Sequence, residues 1–295
     1  MPPAMQPNRS DASGNERGGV HIVAELRSNH YGDRGRLERM IVAAKAAGAD
    51  YVKLQKRDVE TFYSPATLRE PFASPFGTTF GDLRRAVELD FDDFRFVADL
   101  CSNVGIGWYA SVLDQSSLEF MRQFDPLLIK VPSTVSNNRA LLEDVARSHD
   151  GEVVVSTGMA DEAYVEWVVA MLGGAKRLYL LQCTSAYPTP AADACIAVVG
   201  SYAALAQRHP FIVPGYSSHD DGWLGSALAV AAGARMVEKH VTLAPIDGLA
   251  PDPVALDLTT SAFRDYVAQI RNAELMLGSP AKTVRPSENH KYVAP

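Results

Sequence analysis

Cysteine is scarce: Cys101, Cys183 and Cys195 are the only three in 295 residues, and none forms a Cys-x-x-Cys pair. An odd, widely spaced set excludes a disulfide framework and fits a reducing, cytoplasmic compartment. Basic charge is also short. The chain holds 28 Lys plus Arg against 35 Asp plus Glu, a net charge of −7, which argues against nucleic acid as the main partner. No apolar run approaches the length of a membrane span, so no membrane association is expected. The first 19 residues are nearly devoid of apolar side chains. They lack the apolar centre of a secretory signal and read as a disordered tail.

What is present is a globular composition, 47% hydrophobic and 21% charged. Short apolar runs alternate with amphipathic segments. The runs are Val20–Leu26, Tyr51–Gln55, Ile106–Ala110, Leu127–Val131, Val153–Ser156, Arg177–Cys183, Phe211–Tyr216 and Arg235–His240. Rich in Val, Ile, Leu and Tyr and bounded by turns, they have the character of buried parallel strands. Between them, Leu37, Met40, Ile41 and Ala44 fall on one helical face, as do Phe263, Val267, Ile270 and Leu277 near the end. A unit recurs: Ala46-Ala47-Gly48-Ala49 leads into one strand and Ala231-Ala232-Gly233-Ala234 into another, each a helix ending at Gly.

Eight strands alternating with eight helices over about 255 residues is the count of an α/β protein folded as a single (β/α)8 TIM barrel. An open doubly wound sheet is the competitor, but no Gly-x-Gly-x-x-Gly turn follows the first strand. The barrel is expected over 20–278, with 279–295 as a C-terminal tail. The stretch from Lys56 to Asp90 is too long for an ordinary connection. It reads as a long loop after strand 2, with Tyr63, Pro65, Phe72, Pro75 and Phe76 suited to packing over the barrel mouth.

Barrel enzymes build their sites at the C-terminal strand ends. Those ends here carry Glu25, Arg27, Asn29 and His30; Lys53 and Gln55; Ser111; Lys130 and Ser133; Ser156 and Thr157; Gln182, Cys183, Ser185 and Tyr187; Ser217 and His219; and Glu238, Lys239 and His240. Burial makes unpaired charge costly, so two lysines and two carboxylates at one mouth call for a ligand. Lys53 and Lys130, ringed by the hydroxyls of Ser111, Ser133, Ser156 and Ser217, suit a phosphate or carboxylate. His21, His149, His209 and His290 sit at a strand start, near helix ends and in the tail, where solvated or capping roles suffice. His30, His219 and His240 lie at strand C-termini. Two imidazoles from neighbouring strands, with positions open to water and substrate, make a divalent-metal site. Core histidines satisfied by hydrogen bonds are the alternative.

These residues also form words in a fixed order. They are Ala24-Glu25-Leu26-x-x-Asn29-His30-x-Gly32-Asp33, Val52-Lys53-Leu54-Gln55, Ile129-Lys130-Val131-Pro132-Ser133 and Ser156-Thr157-Gly158-Met159. Then follow Cys183-Thr184-Ser185-Ala186-Tyr187-Pro188, Gly215-Tyr216-Ser217-Ser218-His219, Glu238-Lys239-His240 and Pro251-Asp252. In order and spacing they resemble the sialic acid synthase (N-acetylneuraminate synthase) family from about residue 20 to 285.

The resemblance implies a transferase of carbohydrate biosynthesis that condenses phosphoenolpyruvate with the open-chain aldehyde of an aldose, typically an N-acetylhexosamine. The products are a 2-keto-3-deoxy sugar acid and phosphate. Carried over position by position, Lys53, Ser111, Lys130, Ser133, Ser156, Ser185 and Ser217 would hold phosphoenolpyruvate. His219 and His240 would bind a divalent metal, manganese or magnesium. Glu25, Tyr187 and Asp252 would face the acceptor, with Arg27, Asn29 and Gln55 beside them, and Glu25 or Glu238 would handle protons. The family forms homodimers.

Departures fall mainly on the acceptor side. Ser218 stands where the family has Asp, Ser185 where it has Asn, Ser111 where it has Thr, and Arg27 where it has a small or aliphatic residue. The family's common His beside Pro251-Asp252 is absent. The family continues into a small antifreeze-like domain that contributes an arginine to the acceptor. The present 295 residues are expected to hold the barrel alone, ending in a truncated linker, with Arg27 able to meet an acceptor phosphate or carboxylate in that arginine's stead. Two other readings use some of the same residues: a metal-dependent sugar aldolase or isomerase, and a catalytically degenerate anion-binding barrel.

Overall fold

The computed structural model describes residues 19–289 and Lys291. The expected N-terminal tail, apart from Gly19, and His290 lie outside the described residues. Eight parallel strands close on themselves: β1 (His21–Arg27), β2 (Tyr51–Lys56), β3 (Gly107–Val112), β4 (Leu128–Val131), β5 (Glu152–Ser156), β6 (Arg177–Gln182), β7 (Ile212–Ser218) and β8 (Met236–Thr242). Closure is direct, with Glu25 of β1 in register with His240 of β8. Eight helices surround the sheet: α1 (Arg34–Ala47), α2 (Phe91–Val104), α3 (Gln115–Arg122), α4 (Arg139–Ser148), α5 (Glu162–Met171), α6 (Ala197–Arg208), α7 (Leu224–Ala231) and α8 (Ala262–Leu277). The expected (β/α)8 barrel is the fold. Among the described residues no helix is long and apolar enough to cross a membrane.

Strand alternation sorts the side chains into two cores. Outward residues such as Ile22, Ala24, Val52, Leu54, Trp108 and Val237 pack against the helices. Inward residues Val23, Tyr51, Tyr109, Leu128, Val154, Tyr179, Leu181 and Met236 fill the barrel. The repeated helix-Gly-strand unit is confirmed, since Gly48 and Gly233 both take positive φ where their helices end. Leu37, Met40, Ile41 and Ala44 are buried as expected. On α8 the face includes Phe263, Val267 and Ile270 but not Leu277. Leu277 is the last residue of its helix and is exposed.

Residues 57–90 are not an irregular loop. They hold two single-turn helices (Val59–Phe62 and Pro65–Leu68), an antiparallel hairpin (Pro71–Ser74 with Gly77–Thr79) and a helix, Phe80–Ala86. Tyr63 meets Phe80 edge to face at 5.1 Å. The excursion reaches the mouth at several points: Arg84 Nη2 donates to Ser28 Oγ at 3.5 Å, the Ala86 backbone packs against Gly32 in the loop after β1, and Pro75 lies against Gly248 beyond β8. Residues 279–289 form no helix or strand and are exposed.

Candidate active site

Each site strand adds polar residues one pleat above the inner core. Glu25 follows Val23 by two, Lys53 follows Tyr51, Ser111 follows Tyr109, Lys130 follows Leu128, Ser156 follows Val154 and Glu238 follows Met236. Period-two alternation aims all six at the barrel axis near its C-terminal end. All are at most 3% exposed, and charges so buried must be paired.

They are paired to one another. Glu238 Oε1 accepts from Lys53 Nζ at 2.9 Å, Lys130 Nζ at 2.6 Å and Ser217 Oγ at 3.2 Å. Lys53 also forms an ion pair with Glu25 Oε2. Glu25 Oε1 in turn accepts the Arg27 backbone N–H and Gln55 Nε2, each at 3.1 Å. Burial, followed by the charge of Lys130, pulls Lys53 down to about 7 against the attraction of Glu238. Burial pushes Glu238 upward, but Lys130 and Lys53 outweigh it and hold the carboxyl far below its ordinary range.

Around this cluster, the buried hydroxyls of Ser111 and Ser156 have no hydrogen-bond partner. Ser185 Oγ donates to Ser133 Oγ at 3.0 Å. Gly158 permits that approach, because a Cβ there would collide with Ser185 Oγ and Cys183 Sγ. Buried cations beside unsatisfied hydroxyls form a cluster suited to an anion with several acceptor oxygens.

Two histidines lie beside it. The rings of His219 and His240 are 5.2 Å apart. His219 Nδ1 is 2.9 Å from the Thr184 carbonyl oxygen, and His240 Nδ1 is 3.0 Å from Asp252 Oδ2. Both partners are acceptors, so each Nδ1 carries the proton and each Nε2 is left with its lone pair. Burial lowers His219 to about 3, with His240 adding to the effect, and lowers His240 to about 4. Two neutral imidazoles tied at Nδ1 are the arrangement that metal-binding histidines adopt, so the residues present fit a divalent ion. Among the described residues no third His, Cys, Asp or Glu joins them. His30 takes no part; its Nδ1 accepts the Gly32 N–H at 3.1 Å.

The remaining expected residues border the histidines. Asp252 Oδ2, besides His240, meets Arg27 Nη1 at 3.1 Å and Asn29 Nδ2 at 3.4 Å. Tyr187 lies 4.3 Å from the His219 ring and stacks on His240 at 5.8 Å, with the Arg27 guanidinium over its outer face. Lys239, Ser218 and Gln182 face away from the axis: Lys239 Nζ donates to Ser218 Oγ at 3.1 Å, and Gln182 Nε2 to the Ala194 carbonyl oxygen. The Ser218 side chain is therefore on the outer face of its strand, directed away from the axis. Sequence reasoning missed Tyr109, whose hydroxyl lies 3.5 Å from Glu238 Oε2, and Arg57, whose Nη1 donates to Tyr63 at 2.9 Å. Arg57 carried a signal, since it continues the inward alternation of Lys53 and Gln55. Arg84, brought back by the excursion, carried none.

The NeuB family model matches residues 40–282. Over 277 residues the chain is 34% identical to the N-acetylneuraminate-9-phosphate synthase of Homo sapiens, covering 92% of this chain and 76% of that one. It is 31% identical over 279 residues to the N,N'-diacetyllegionaminic acid synthase of Legionella pneumophila, covering 91% and 75%. Its fold is similar to the crystal structure of the N-acetylneuraminic acid synthetase of Leptospira borgpetersenii, with a TM-score of 0.76, 24% identity and coverage of 91% and 88%.

Proposed function

The chain belongs to the NeuB family, and from that premise we propose that it condenses phosphoenolpyruvate with the aldehyde of an open-chain aldose, yielding a 2-keto-3-deoxy sugar acid and phosphate. It is an enzyme, a transferase of the sugar-acid synthase class. The observation that carries the proposal is the juxtaposition of two buried lysines and two unpartnered serine hydroxyls with a pair of neutral histidines. An anion holder and a carbonyl activator at one barrel mouth are what such a condensation needs.

In this reading Lys53 and Lys130 bind the phosphate and carboxylate of phosphoenolpyruvate, and Ser111, Ser133, Ser156, Ser185 and Ser217 supply hydroxyl donors. His219 and His240 would hold a divalent ion, manganese or magnesium, which when bound would polarise a carbonyl oxygen of the acceptor. The methylene carbon of phosphoenolpyruvate forms the new bond to the aldehyde carbon. Water adds to the enol carbon, its C–O bond to phosphate breaks, and phosphate leaves. Glu238 stays ionised between the lysines, where its charge opposes loss of the Lys53 proton and stabilises the positive charge that develops at the enol carbon. Glu25, bonded to Gln55 and the Arg27 N–H, is left to move protons. Tyr187 shields the histidines from bulk water, and Arg27, Asn29, Gln55 and Asp252 line the acceptor side. The reading includes a homodimer in a cytoplasmic setting.

The test is phosphate release from phosphoenolpyruvate with manganese and a panel of neutral, phosphorylated and carboxylated aldoses. Release should require both an aldose and the metal, and should vanish in Lys53→Ala and His240→Ala. No release across the whole panel overturns the synthase reading.

A further inference from the structure

Lys239 lies on β8 between Glu238 and His240 but faces the other way, into the layer between sheet and helices. Its neighbours on that face of the strand are Val237 and Val241, both fully buried, and Lys239 itself is 1% exposed. An ammonium group in such a layer is costly, and an apolar side chain of similar size would suit it at least as well. Stability alone gives this position no reason to be a lysine.

The contacts of the ammonium group supply one. Lys239 pairs in register with Ser218 of β7. Its Nζ donates to Ser218 Oγ at 3.1 Å and to the backbone carbonyl oxygen of Asp220. The Ser218 hydroxyl donates in turn to Asp220 Oδ1 at 2.9 Å, and the Asp220 carboxylate is the counter-charge. Tyr216 donates to the same oxygen at 2.7 Å. The carboxylate rests against Gly225 near the start of α7, where a Cβ would overlap Asp220 Oδ2.

These contacts enclose His219. The β7–β8 ladder ends at the Ser218–Lys239 pair, so His219 lies just past the last paired residue of its strand. One ammonium group bonds to the residue before it and to the residue after it, and Lys239 is itself the residue before His240. A single side chain thus joins the two backbone segments that carry the imidazoles. Thr184 and Asp252 orient the rings through Nδ1 but do not tie one segment to the other. Two ligands of one ion need placement to within about 0.5 Å.

We propose that Lys239 is a positioning residue, which carries the β7–β8 connection past the last ladder pair and fixes His219 against His240 for a shared divalent ion. The inference rests on the metal-holding role proposed for the two histidines and is independent of the acceptor.

The test is calorimetric titration of the metal-free protein with manganese, for the wild type, Lys239→Met and Val237→Ala, with the urea midpoint measured for each. Lys239→Met should raise the manganese Kd by roughly 10-fold, the lower end of what orienting partners of metal-binding histidines contribute. Val237→Ala opens a cavity on the same face of the same strand, so it should lower the urea midpoint and leave the Kd unchanged. A Kd in Lys239→Met equal to that of the wild type overturns the inference. So does an equal rise in Val237→Ala, which would tie affinity to general stability. If Lys239→Met does not fold, Ser218→Ala takes its place. Losing that one hydrogen bond of the clamp should raise the Kd by roughly 2- to 10-fold, and no change overturns the inference. Absence of manganese binding to the wild type overturns the metal role and the inference together, whereas equal binding to wild type and Lys239→Met overturns the inference alone.

Discussion

Lys130 Nζ lies 2.6 Å from Glu238 Oε1, and both side chains are 2% exposed. The same oxygen receives Lys53 and Ser217, so one carboxylate oxygen organises the centre of the barrel. Removing one member of a buried ion pair leaves a charge that water cannot reach, at a cost of about 3–5 kcal/mol. Glu238→Ala, which removes the carboxylate paired with Lys130 and leaves Lys53 with Glu25 alone, should lower the urea midpoint accordingly. An unchanged midpoint would mean that the cluster is hydrated and its charges are not mutually dependent.

In the proposed condensation, Lys53 should make phosphoenolpyruvate binding pH-dependent. Burial and Lys130 pull its pKa to about 7, so the ammonium is lost as pH rises through that value. The attraction for a trianion goes with it, and KM for phosphoenolpyruvate should rise between about pH 7 and 9. Lys53→Arg, whose guanidinium keeps its charge, should show a flatter profile. An equally steep rise in that variant would place the titrating group elsewhere.

The histidines impose an acid limit. His30, His219 and His240 are depressed to about 4, 3 and 4, mainly by burial. Below the ordinary imidazole pKa of 6.5 the unfolded chain takes up protons that the folded chain refuses. Stability is therefore complete above about pH 6.5 and falls toward pH 4, by at most about 1.4 kcal/mol per pH unit for each imidazole. Thermal melts from pH 7 to 4.5 should show this decline, with manganese raising Tm throughout. Because His219 and His240 are still neutral at pH 5, manganese should be retained there; its release near pH 6.5 would show ordinary imidazoles.

Asp252 acts through His240. Its Oδ2 accepts from His240 Nδ1 and also meets Arg27 and Asn29. Losing such an orienting carboxylate weakens metal affinity by about 10- to 100-fold. Asp252→Asn should raise the manganese Kd by that factor, with a smaller change in KM for phosphoenolpyruvate, whose proposed holders lie on other strands. A manganese Kd equal to that of the wild type would reduce Asp252 to a partner of Arg27.

Period-two alternation and the convergence of strand ends made much of the site legible in the sequence. Lys53, Lys130, Ser111 and Ser156 each stand two residues beyond a side chain that fills the barrel, and that spacing is local. The barrel itself was legible for the same reason, as eight apolar runs separated by amphipathic helices. What depended on distant partners was not legible. His219 is held by a carbonyl 35 residues earlier in the chain, and His240 by a carboxylate 12 residues later. Lys239 also stands near the end of its strand, but one step of alternation turns it toward Ser218 on the outer face. Arg84 reaches Ser28, 56 residues before it, only because the excursion folds back onto the mouth. Residue spacing thus determined the axis on which the charges meet. Only long-range packing decided which of them are satisfied within the chain and which still await a ligand.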